Sequence, residues 1–195
     1  KEMISTIDML PTILDITGIS APQALPGRSF YALGKGENIP WREFMFGEHN
    51  THTQKTWFPR RTVRTQRYHL IENLLPESKN PIKGIDGCSA WAASRKENVD
   101  DMQVRQAYSR YQRPPRYELY DLDNDPYEFK NLAGNAELTN VKNSLVKALH
   151  SWQNNTDDPL RKKDVLKAYT QRHNKAKKID SHSLPEGFLK GLPGL

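Results

Sequence analysis

Apolar positions recur along this chain with two different periods. Residues 136–153 carry the clearest helical pattern: Leu138, Val141, Leu145, Leu149 and Trp152 fall at three- and four-residue spacing, and Asn135 stands where an N-cap belongs. A shorter helix is predicted over residues 8–17, with Leu10, Ile13, Leu14 and Thr17 on one face. Asp8 is placed to cap it, and Pro11 falls in the first turn, where a missing N–H costs little. Gly18 can end it in the left-handed conformation. A weaker helical pattern covers 98–111, with Met102, Val104 and Tyr108 as its apolar side. Alternation with period two predicts strands at 42–49 (REFMFGEH), 61–66 (RTVRTQ), 68–74 (YHLIENL) and 117–122 (YELYDL). The second and third of these are joined by a tight turn near Gln66-Arg67, and Asn124-Asp125-Pro126 turns the chain after the last.

Between these elements, proline and glycine punctuate the chain. Pro22, Pro26 and Pro40 mark 21–40 as a connector, and residues 75–97 read as a long loop. The pattern predicts an α+β fold: a small antiparallel sheet of three to four strands packed by a C-terminal helix. The helix at 8–17 stands apart, ahead of the connector. Residues 1–20 are therefore assigned to the end of an N-terminal domain and 41–160 to the α+β subdomain. Residues 161–195 are assigned to a basic, flexible tail.

Composition supports a docked piece rather than a self-sufficient globule. The hydrophobic fraction is 36% and the mean hydropathy −0.81, lean for a small domain that must offset its chain entropy by burial. The net charge of +6 is unevenly placed, because residues 161–195 hold nine Lys/Arg against Asp164, Asp180 and Glu186. Such a tail either attracts polyanions or simply frays in solvent, and its low apolar content favours the second. No stretch is long and apolar enough to span a membrane. Cys88 stands alone, so an internal disulfide and a Cys-based zinc site are excluded, and it reads as a packed or loop thiol.

Candidate chemistry is sparse. Asp121, Asp123 and Asp125 alternate like the start of a calcium loop, yet Pro126 and Leu132 occupy the positions that need Gly and Glu. The run is a turn, and Asp121 and Asp125 are assigned structural roles. His49, His52 and Lys55 share a polar loop after a strand and are candidate hydrogen-bond donors to sulfate or sugar hydroxyls; the plainer alternative is two exposed loop histidines. Arg60, Arg61, Arg64 and Arg67 cluster within eight residues. Arg61 is expected in a buried structural pair, for example with Glu48, and Arg67 as surface charge. There is no Gly-rich phosphate cradle and no nucleophile elbow. No catalytic residue and no metal ligand is assigned to this chain.

Three runs in order, STIDMLPTILDITG at 5–18, LPGRS at 25–29 and YELYDLDNDPYEFKNLA at 117–133, resemble the C-terminal third of sulfatases of the alkaline-phosphatase-like superfamily. The stretch holding Gly47, His52, Trp57-Phe58, Pro59, Arg61 and Asn73-Leu74 is similar to the heparan N-sulfatase (N-sulfoglucosamine sulfohydrolase) branch. The resemblance implies a parent α/β enzyme that removes sulfate from a sulfated sugar, including the N-sulfate of glucosamine in heparan. It implies formylglycine and calcium in a missing N-terminal catalytic domain, with no cofactor bound by this chain. The chain would supply a substrate-pocket wall and be inactive alone. Its partners would be that domain and a sulfated saccharide, with neither nucleic acid nor membrane. The implied compartment is periplasmic or secreted in a bacterium and lysosomal in an animal. Two alternatives stay open: a non-catalytic sulfated-glycan-binding module using Arg60, Arg64 and the basic tail, and part of a related phosphodiesterase or phosphonate hydrolase.

Overall fold

The structure is a computed structural model that describes residues 2–52, 56–76, 78–80 and 101–176. The chain divides into two compact units, residues 1–45 with 64–66 and residues 46–63 with 67–195.

In the first unit a 3-10 turn, Thr6–Asp8, leads into helix α1, Met9–Thr17. Gly18 closes α1 at φ 70°, the left-handed conformation expected of it. Asp8 corrects one expectation: its side chain makes no capping bond to α1. The 3-10 turn ahead of the helix redirects the carboxylate inward. There it accepts the backbone N–H groups of Ser5 (2.8 Å) and Arg28 (2.9 Å) and the Arg42 guanidinium (2.5 Å). Burial opposes the charge on Asp8, but Arg42 and the two backbone donors outweigh it and hold the carboxyl below its ordinary pKa. Thr12 continues the tie, donating to the Asp8 carbonyl and accepting from the Phe30 N–H. The connector therefore folds back on the start of α1. At Gly27 the approach is so close that a Cβ would lie 2.0 Å from the Ile7 carbonyl oxygen. The connector is also less irregular than expected, since Tyr31–Gly34 forms a helical turn, α2. Ser29 sets that turn, accepting from the Tyr31 N–H while donating to Asp15. The outer face of α1 and of the turn before it stays open: Ile7, Leu10, Ile13 and Ile16 are each about half exposed.

The second unit is built on a four-stranded antiparallel sheet. Its strands are β1 (Met45–His49), β2 (Arg60–Arg64), β3 (Tyr68–Asn73) and β4 (Tyr117–Asp121), in the order β1-β2-β3-β4. The β3–β4 register sets Leu70 against Leu119. Alternation sends Val63, Leu70 and Leu119 to one face, all fully buried. Helix α4, Thr139–Asn155, packs on β3, and its Leu145 and Leu149 are buried. On the same face Phe46 stacks on Trp152 at 5.3 Å. The opposite face meets helix α3, Met102–Gln112, which is capped by Asp101. There Arg110 approaches Glu118 at 3.6 Å and donates to the Phe129 carbonyl at 2.6 Å. Glu118 in turn accepts from Tyr120 and Asn73.

Residues 163–176 overturn part of the expected flexible tail, because they form helix α5, Lys163–Ala176. A short apolar stripe is hidden among its lysines. Val165 joins a core cluster with Trp57 and Leu160, and Leu166 and Tyr169 pack against it. Residues 177–195 lie outside the described residues. Among the described residues, no helix is long and apolar enough to cross a membrane.

Candidate functional site

His49 ends β1 and His52 lies in the β1–β2 connection, and what lies behind that connection explains its shape. Strand alternation puts Glu48 and Arg61 on the α4 side of the sheet and Gly47, His49 and Arg60 on the other. Arg61 is 1% exposed. Its Nε and Nη2 donate to the two Asp158 oxygens at 2.7 and 2.9 Å. Its Nη1 donates to Asn50 Oδ1 at 2.8 Å and to the Arg60 carbonyl at 2.9 Å. Asp158 also accepts from Gln153 (3.0 Å) and from the Leu160 N–H (3.1 Å). Burial disfavours the Asp158 carboxylate; Arg61 and Gln153 more than compensate and depress its pKa. The expected Glu48 contact exists at 3.6 Å, but it is secondary to the fork on Asp158. This arrangement ties the first residue of the loop, Asn50, to the segment between α4 and α5.

The far end of the loop is fixed by α5. The Trp57 ring stacks on His173 at 4.4 Å and 7°, and on Tyr169 at 5.8 Å. Its Nε1 donates to Thr170 at 3.1 Å. Inside the loop the His52 N–H donates to Thr56 Oγ1, and the Phe58 N–H to the Asn50 carbonyl. The loop is thus braced at both ends, while His49 and His52 are exposed. Partial burial, followed by the charges of Arg60, Arg61 and His52, lowers the pKa of His49 and favours its neutral imidazole. A neutral imidazole still donates one hydrogen bond. Lys55 lies outside the described residues, as does Cys88.

Asp121 and Asp125 are held by bonds in and beside their turn, while Asp123 is exposed. Asp121 accepts both Arg67 Nε (3.0 Å) and Nη2 (2.8 Å), with Asn124 adding a third bond at 2.9 Å. The Arg67 hydrogen bond holds the Asp121 carboxyl down to about 2. Arg67, half exposed as a surface charge is expected to be, is also the partner of Asp121. Asp125 accepts the Phe129 and Lys130 N–H groups, four and five residues on, and so closes the loop after β4. Among the described residues, no three His, Cys, Asp or Glu side chains converge to hold a metal ion. Two parts of the site escaped sequence reasoning: Asp158, 97 residues from its partner Arg61, and the α5 platform under Trp57.

Comparison with known proteins gives this geometry its setting. Residues 1–79 match the family described as N-sulphoglucosamine sulphohydrolase, C-terminal. An ulvan-active sulfatase of Formosa agariphila is 30% identical over 183 residues, which is 92% of this chain and 35% of that protein. The chain is similar to sulfatases over part of their length. The human N-sulphoglucosamine sulphohydrolase is 29% identical over 168 residues, 80% of this chain and 33% of that sulfatase. The chain thus spans about a third of the length of each of these sulfatases. A protein solved in complex with its substrate, D-glucosamine-2-N,6-O-disulfate, shares the fold, with a TM-score of 0.52 and 22% identity, covering 80% of this chain and 25% of that one.

Proposed function

We propose that this chain forms one wall of the saccharide pocket of a sulfatase, with His49 and His52 donating hydrogen bonds to sulfate or sugar hydroxyls. The observation that carries the reading is the braced loop. Two exposed imidazoles sit on a segment fixed by the buried Arg61–Asp158 fork at one end and by the Trp57–His173 stack at the other. Fixed donors bind at a lower ordering cost than mobile ones. The substrate class is a sulfated amino sugar, including the N-sulfate of glucosamine in heparan. The match of residues 1–79 and the similarity to the human sulfohydrolase support that choice.

On this reading the formylglycine nucleophile and calcium belong to an N-terminal catalytic domain. The half-exposed apolar face of α1 and the turn before it, Ile7, Leu10, Ile13 and Ile16, docks on that domain. The chain alone turns nothing over. The test is sulfate release from N-sulfated glucosamine by the full-length protein and by the 195-residue chain. Release by the full-length protein alone supports the reading. Release by the isolated chain, or by neither, contradicts it.

A further inference from the structure

Of the three arginines on β2, Arg61 is buried on its carboxylate and Arg64 is exposed, while Arg60 is half-buried. Arg61, Arg67, Arg110 and Arg116 each have a carboxylate within 3.6 Å, at Asp158, Asp121, Glu118 and Glu72 respectively. Among the described residues no carboxylate pairs with Arg60, and its Nε is buried without an acceptor. The guanidinium instead lies over two rings, Phe58 at 5.4 Å and Tyr111 at 5.9 Å. Cation–π contact offsets part of the desolvation and fixes the guanidinium's position, but it supplies no acceptor.

Its place in the sheet points the same way. A Cβ on Gly47 would meet the Thr62 hydroxyl at 3.0 Å, so these two residues share a face. Two residues along each antiparallel strand, His49 and Arg60 become neighbours on that face. The influence of the Arg60 charge on His49 agrees with this placement. Arg61, with its full set of acceptors, lies on the other face. A partly exposed guanidinium with no carboxylate partner among the described residues, beside an exposed imidazole, has the chemistry of an oxyanion site, because arginine offers a fork of donors that matches sulfate or carboxylate oxygens.

We propose that Arg60 is a specificity-determining residue that binds a second oxyanion of the saccharide, a sulfate or a carboxylate, next to the group met by His49. This inference rests on the pocket-wall reading above and adds a preference to it: substrates with two anionic groups are favoured over those with one. Removing a charge-assisted bond of this kind lowers affinity about 10- to 100-fold.

The test uses the full-length protein and three probes: N-sulfated glucosamine, D-glucosamine-2-N,6-O-disulfate, and N-sulfated glucosamine linked to a uronic acid. Kinetics are compared for wild type, Arg60→Met, Arg60→Lys and a control, Lys147→Met, on the exposed side of α4. Thermal melts check that each variant is folded. Arg60→Met is expected to reduce the preference for a doubly anionic probe by about 10- to 100-fold, mainly through KM. Arg60→Lys keeps the charge without the fork and should retain part of that preference; it also carries the test if Arg60→Met does not fold. Loss in the disulfate arm identifies a sulfate, and loss in the uronate arm a carboxylate. An equal effect on all three probes, or none, overturns the proposal. If wild type turns over no probe, calorimetric binding of the disulfate decides. Arg60-dependent binding upholds this site while the sulfatase reading falls, and Arg60-independent binding overturns the site as well.

Discussion

Replacing Asp158 with Ala should release the loop that carries His52, and the size of the effect follows from the contacts. Asp158 provides two of the four acceptors of a guanidinium that is almost wholly buried, at 2.7 and 2.9 Å. Removing one partner of a buried ion pair costs about 3–5 kcal/mol, because the remaining charge stays desolvated. Here Asn50 and the Arg60 carbonyl remain, and Glu48 at 3.6 Å can close in. The cost should therefore fall near the lower end, about 3 kcal/mol. The loss is local, so hydrogen exchange is the suitable assay. The amides of Phe58, bonded to Asn50, and of Leu160, bonded to Asp158, report the two sides of the clamp. A loss of about 3 kcal/mol accelerates their exchange roughly 100-fold. The double variant Arg61→Met/Asp158→Ala removes both charges and should cost about as much as either single change, not their sum. Exchange within about threefold of wild type in Asp158→Ala, or strict additivity in the cycle, would refute the reasoning.

Two further predictions concern the rest of the chain. Gly27→Ala should destabilise the first unit by about 3 kcal/mol or more, since a methyl group 2.0 Å from the Ile7 carbonyl oxygen forces the backbone apart; an unchanged thermal midpoint would contradict the close approach. Acid should weaken both units. The carboxyls of Asp8, Asp121 and Asp158 all sit below their ordinary value of 3.8 when folded, so their contribution is complete above about pH 4 and is lost as pH falls toward 2. Denaturation midpoints measured from pH 5 to pH 2 should fall steadily, and a flat profile would contradict the sign.

Much of the fold was legible because local pattern and tertiary packing agree. The stripe Leu138, Val141, Leu145, Leu149 and Trp152 reads as a helix in sequence and meets the sheet through Leu145 and Leu149. All four strands appear close to their expected spans. Agreement ends where a residue's role is set by distant partners. Asp8 has the right spacing for a cap, yet Arg42 and the Arg28 amide draw its carboxylate elsewhere. The lysines of 163–176 hide Val165, Leu166 and Tyr169, whose partner Trp57 lies more than a hundred residues earlier. In the site, the nearness of His49 and His52 was visible, although His49 ends β1 and only His52 lies in the loop, whereas the pairing of Arg61 with Asp158 leaves no local trace in sequence.

The central claim is that His49 and His52 touch the substrate, and kinetics of the full-length protein on N-sulfated glucosamine test it most directly. His49→Ala and His52→Ala should each raise KM about tenfold, the loss of roughly one hydrogen bond to a charged group, with the thermal midpoint unchanged. Wild-type kcat and KM in both variants would contradict the account and return the two residues to the status of exposed side chains.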